Sequence, residues 1–237
     1  MSFLYPRQVE ELARFAGTAD KEARSDLVGG FIRNENDYTS NFTGALRRII
    51  NSNSLTGLTA TSFLLSTSDE RATGCDAAII ITDGCESKVS IFEAKWPRFS
   101  QPHYTWDYLQ TASGISHFSD QINRQKRFDG RFAVFEMFYC EYPFGAQPSF
   151  MQDDKSSCVW HDDIDLFKNN RVDPDQIWSQ EELKTVLQKH HLDIISVVTA
   201  FAVCDRGKPI GLSPKQIASE FMLPSQTLAI SNGRFNK

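Results

Sequence analysis

Two short apolar runs separated by a turn constrain this chain more than any other feature. Cys75-Asp76-Ala77-Ala78-Ile79-Ile80-Ile81 becomes β-branched toward its end, and Thr82-Asp83-Gly84 is a turn signal. Lys88-Val89-Ser90-Ile91-Phe92-Glu93-Ala94-Lys95 follows as a second run. The spacing predicts a hairpin, and Ile79, Ile80, Val89, Ile91 and Phe92 are the residues of a buried sheet. Charge at the end of such a strand is costly unless paired or metal-bound. The second run nevertheless closes on Glu93 and Lys95.

The segments around the hairpin set the fold class. Helical patterns are expected over Pro6 to Phe15, Lys21 to Phe31, and Asn36 to Ile50, where Phe42, Leu46, Ile49 and Ile50 share one face. Thr59 to Ser66 reads as a short strand. Trp106 to Phe128 reads as a helix broken near Gly114, and Phe132 to Tyr139 as a third apolar strand. Asp153 to Asp175, rich in Asp and Asn, reads as a loop or linker. Glu181 to Phe201 reads as one helix, and Ser213 to Phe221 as a short helix before Pro224 and a polar end. The order predicts an α/β fold with a central mixed sheet flanked by helices. Residues 1–145 would form the core with its N-terminal helices, and 146–237 a loop and helical extension packed on it.

The chemistry sits on the hairpin. Residues i and i+2 of a strand face the same way, so Glu93 and Lys95 project together, and pairing brings Asp76 beside Glu93. Two carboxylates and a main-chain carbonyl make a hard oxygen site suited to Mg²⁺, with Mn²⁺ as a substitute. Lys95 beside it could orient or deprotonate an attacking water, or offset charge in the transition state.

Gly74-Cys75-Asp76, sixteen residues, then Glu93-Ala94-Lys95 resembles the PD-(D/E)XK nuclease superfamily, the restriction-endonuclease-like fold. The resemblance covers roughly residues 30–142, and Cys75 stands where that pattern has Pro. It implies a metal-dependent nuclease, DNA favoured over RNA, of the kind that serves restriction or phage defence. Asp76 and Glu93 would hold metal and Lys95 would act on the water. An acid from an upstream helix, Glu35 with Asp37 as fallback, would complete the metal set, and Gln121 would support from the helix after the lysine. Arg124, Lys126 and Arg127, with Arg131, Arg47 and Arg48, would meet phosphates.

Each residue also has a plainer use. Glu93 and Lys95 make a cross-strand ion pair, Asp76 a strand-entry turn residue, and Glu35 a first-turn acid favourable to the helix dipole. The basic cluster makes a solvated helix end. Trp96, Tyr104, Trp106 and Tyr108 stack on bases or pack in the core. Adjacent His190 and His191 point apart on a helix, so neither they nor His161-Asp162-Asp163 makes a metal site.

Composition narrows the partners. No apolar run approaches the ~20 residues that span a bilayer, and the start lacks a signal-peptide layout, so no membrane is expected. Five dispersed cysteines without a CxxC pair fit a reducing cytoplasm. A net charge of −5 argues against constitutive tight binding of phosphate, and so for a homo-oligomer or an activating protein that supplies part of the binding surface. Two further readings are a DNA-binding regulator on an inactive nuclease-like fold, since Leu212 to Leu228 faintly resembles half a helix-turn-helix, and a protein-interaction module.

Overall fold

The computed structural model describes residues 3–64, 73–101, 106–190 and 192–233, except the side chain of residue 64. The strand expected over 59–66 runs past this boundary, and Tyr104 and His191 lie outside the described residues.

The hairpin forms as its pattern requires. β2 (Ala77–Thr82) pairs antiparallel with β3 (Ser87–Lys95), Ala77 opposite Phe92 and Thr82 opposite Ser87, and every residue of both strands is buried. These strands sit in a seven-stranded mixed sheet of order β1-β7-β2-β3-β4-β5-β6. β1 is Thr59–Leu64, β4 Ala133–Phe138, β5 Ser157–Trp160, β6 Leu192–Asp193 and β7 Gln226–Ser231. β3 and β4 run parallel, joined by a crossover that contains α3 (His117–Gln125).

Helices cover both faces. α1 (Pro6–Val28), α2 (Glu35–Asn53) and α6 (Ile194–Ala202) pack on the side of Ile79, Phe92, Phe135 and Ile230. α7 (Pro214–Glu220) packs on the opposite side with Ile80, Ile91 and Val134. On that same side α3, α4 (His161–Asn169) and α5 (Gln180–His190) surround Phe138 and Val159. Alternation along each strand sends one set of side chains to each layer.

Several expected segments differ. The first two helices are one, because Gly17 alone cannot break an Ala-rich run and Asp20, fully buried, is anchored by Ser156 and Tyr38. The helix expected from Trp106 shrinks to α3. Residues 108–117 instead double back on themselves, with Leu109 bridged to Ser116. Asp153 to Asp175 is not a linker: it contains β5 and α4, whose apolar residues Val159 and Ile164 are fully buried. Glu181 to Phe201 is two helices, interrupted where Leu192 and Asp193 pair with Cys158 and Ser157. The polar C-terminal end contains β7, antiparallel to β1 and parallel to β2. Residues 146–237 thus add three strands to the same sheet rather than only loops and helices.

Candidate active site

The C-terminal end of β3 gathers the charged groups. Lys95 Nζ donates to Glu93 Oε1 at 2.6 Å and lies 3.6 Å from Glu35 Oε2. Glu93 and Lys95 are 2% and 3% exposed, so this is an ion pair in the interior rather than on a solvent-facing edge. Asp76 continues the hairpin ladder through its N–H to Phe92 O at 2.9 Å, and its Oδ2 accepts from the Ala94 N–H at 2.8 Å. That backbone donor lies past the last paired residues of the hairpin, so the carboxylate serves both as a ladder cap and as a neighbour of Glu93. Gln121 Nε2 donates to Glu93 Oε1, while Gln121 Oε1 is buried without a hydrogen-bond partner among the described residues.

Two helix starts deliver the flanking groups. α2 is capped by Asn34, whose Oδ1 accepts from Asp37 N–H at 2.9 Å. This places Glu35 in the first turn, where its Oε1 accepts from the Trp96 N–H at 3.0 Å. Asp37 turns back to accept from the Asn34 side chain and from the Arg33 N–H, so Asp37 is taken up by the cap around Asn34 and the site role falls to Glu35. α3 is capped by Ser116, and buried Asp107 accepts from Ser116 Oγ, Phe118 N–H and Trp178 N–H. A carboxylate there complements the positive end of the helix dipole. Gly74 lets α3 come close: its φ is +71°, and a Cβ there would lie 2.9 Å from Gln121 O. Gln125, one turn beyond Gln121, donates to Gly74 O at 2.7 Å.

Electrostatics follow from three acids around one ammonium. Burial, then the neighbouring Asp76 charge, pushes the Glu93 carboxyl well above its usual range. Burial pulls the Lys95 ammonium down, but Glu93, Glu35 and Asp76 outweigh it and raise the pKa, so Lys95 stays protonated.

The five residues expected at the site converge: Glu35, Asp76, Glu93, Lys95 and Gln121. The basic residues are more dispersed in their engagements. Arg124 pairs with Asp120 at 3.0 Å and Lys126 with Asp165 at 3.0 Å, and Arg127 stacks on Phe128. The helix-turn-helix reading loses its second helix, because the seven residues of α7 lead into β7.

Two groups escaped the sequence reading. Glu136, fully buried, stands opposite Glu93 on β4, with neither oxygen hydrogen-bonded among the described residues. A lone Glu inside the apolar run 132–139 carried the same signal as Glu93. Tyr139 is buried with its hydroxyl unpartnered among the described residues, and burial together with Glu35, Asp76 and Glu93 raises its pKa. Only the strand register reveals it.

No family model, curated protein or solved structure matches this chain. The site must therefore be judged on its own donor set. Among the described residues no three His, Cys, Asp or Glu side chains are gathered to hold a metal by themselves. Mg²⁺ asks for less: one or two carboxylates, with waters and substrate oxygens completing its shell. Asp76 and Glu93 fit that demand, since a divalent cation would offset the repulsion that raises Glu93. Glu35, assigned to metal by the resemblance, here engages Lys95 and the Trp96 N–H.

Proposed function

We propose that this protein is a Mg²⁺-dependent nuclease of the restriction-endonuclease-like type that hydrolyses phosphodiester bonds, DNA before RNA. The observation that carries the reading is the convergence of half-buried Asp76 with buried Glu93 and Lys95, joined by Gln121 from the following helix and Glu35 from the preceding one. The resemblance calls for this order of groups, and a solvent-facing ion pair would not need it.

Each side chain then has a task. Asp76 and Glu93 would hold the ion, which supplies Lewis acidity and a water of lowered pKa when bound. Gln121 fixes one Glu93 oxygen and Lys95 the same oxygen from the other side. Lys95, whose charged form the three acids favour, would offset the negative charge that builds on the phosphate as water attacks. Glu35 steadies the ammonium from the more exposed side, its own side chain being 37% exposed.

The test is cleavage of plasmid, linear and single-stranded DNA and of RNA, with Mg²⁺ and with EDTA. The expected result is cutting that needs the metal and falls about 10²–10³-fold in Lys95→Ala. Folded, metal-loaded protein that cuts no substrate, or a Lys95→Ala variant as active as the parent, overturns the proposal.

A further inference from the structure

Beside Lys95 and Glu35 lies a pocket of about 270 Å³ bordered by Trp96, Trp106, Tyr108 and His117. That is at the small end of ligand pockets, enough for one planar ring system. Residues 108–117 build one wall. His117 N–H donates to Tyr108 O at 2.8 Å and Gln110 N–H to Ile115 O at 2.9 Å, which folds the segment back on itself. The Tyr108 and His117 rings are stacked in consequence, centroids 4.7 Å apart and planes within 12°. Tyr108 is nevertheless 55% exposed, a rigidly held aromatic ring with a free surface. Burial and the nearby Lys95 and Arg124 lower the His117 pKa, which favours an uncharged stack.

Trp106 supplies a second, independent sign. It is 7% exposed, packs edge-on against Phe118, Phe138 and Trp178, and borders the same pocket. Its indole N–H is buried with no acceptor among the described residues. A buried donor left unmade costs about 1–3 kcal/mol, a cost borne here in the wall of the pocket. Trp96 is already occupied, its indole N–H on Glu141 at 3.0 Å and its ring covered by the Arg98 guanidinium at 4.1 Å. The open stacking surface is therefore Tyr108.

We propose that this pocket receives an unpaired nucleobase of the strand presented to Lys95, stacked on the exposed Tyr108 ring, so that the substrate is single-stranded nucleic acid. The proposal rests on the nuclease reading for what Lys95 faces and adds the substrate class. Every base has a π-face, so the pocket is tolerant of sequence. Bases in continuous duplex are stacked on one another and cannot enter without being flipped out. An acidic chain, net charge −5, gains little by tracking phosphates, and base stacking gives it another source of affinity.

Binding separates this proposal from cleavage. Labelled oligothymidylate, oligouridylate and a DNA duplex of equal length are titrated by fluorescence anisotropy, in EDTA and in Ca²⁺. Single strands are expected to bind at least tenfold tighter than duplex. Tyr108→Ala should weaken single-strand binding at least fivefold, with Tyr108→Phe close to the parent and the duplex unaffected. Tighter thymidylate identifies DNA as the source of the base and tighter uridylate RNA; either supports the proposal. Equal or tighter duplex binding, no binding at all, or indifference to Tyr108→Ala with an unchanged melting temperature overturns it. Loss of the cleavage result with the strand preference intact overturns the nuclease reading alone.

Discussion

Lys95 is a buried cation within reach of three acids, and its removal has a consequence that an ordinary surface pair would not. Exposed ion pairs contribute about 0–1 kcal/mol, but Lys95 and Glu93 are both almost fully buried. Breaking a buried pair leaves an uncompensated charge and costs about 3–5 kcal/mol. Lys95→Ala is therefore expected to lose roughly that much in urea unfolding without metal at about pH 8.5. The sign of the pH dependence follows from Glu93. Its folded pKa is raised above the usual 4.5, so its contribution is full below that value and is lost as pH rises through the folded pKa. The deficit in Lys95→Ala should therefore shrink at a second, lower pH, as Glu93 takes up a proton. Mg²⁺ at about 100 times its Kd should return about 2.7 kcal/mol to the folded state. Equal deficits at both pH values, with no response to Mg²⁺, would mean that the three acids do not share one field.

At the scale of elements, the site depends on α3 lying close against the start of β2, and Gly74 is the point of contact. An alanine there needs a positive φ, which costs about 1–3 kcal/mol, and its Cβ would push on the Gln121 backbone. Gly74→Ala should lose at least that stability in urea. It should also lose more cleavage than the stability change explains, because Gln121 retreats from Glu93; retained full activity would show that the close approach is not needed. This contact also marks what the sequence made legible. β2 and β3 were readable because apolar β-branched runs with a turn between them have few alternatives, and the i, i+2 rule put Glu93 and Lys95 on one face without knowledge of the fold. Gln121 was found by its place after the lysine, whereas the helix holding it is nine residues, not the twenty-three of Trp106 to Phe128. The difference is Asp107 and Ser116: the buried carboxylate ties down the helix start only once Trp178 has arrived from elsewhere in the chain. β5 and α4 were hidden for a similar reason. Their Asp-rich sequence is spent on ion pairs such as Asp165 with Lys126 and Asp162 with Arg206, while the apolar Cys158, Val159, Trp160 and Ile164 are interspersed with polar residues that are themselves buried, Ser157, His161 and Lys168.

At the scale of the whole molecule, the sheet is closed by its last strand. β7 lies between β1 and β2, so Gln226–Ser231 pairs on one side with residues 59–64 and on the other with 77–82. Gln226–Ser231, with only Leu228 and Ile230 as large apolar residues, gave no sign of this, because a strand paired on both edges needs only Thr227, Leu228, Ala229 and Ile230 to face neighbours that sequence cannot name. Loss of β7 would leave β2 without its second partner and uncover Ile79 and Ile81 along the edge that carries Asp76 into the site. The exposed row of N–H and C=O groups would then be a template for pairing with other chains. A chain cut before residue 213, which also removes α7 and its buried Ile217, is therefore expected to aggregate or to lose cooperative unfolding, and with it metal-dependent stabilisation. Circular dichroism against temperature with light scattering checks this. A truncated chain that melts in one sharp transition, keeps the stabilisation by Mg²⁺ and still cuts would place the whole functional unit in the residues before α7, and would reduce β7 to an ornament on a sheet that stands without it.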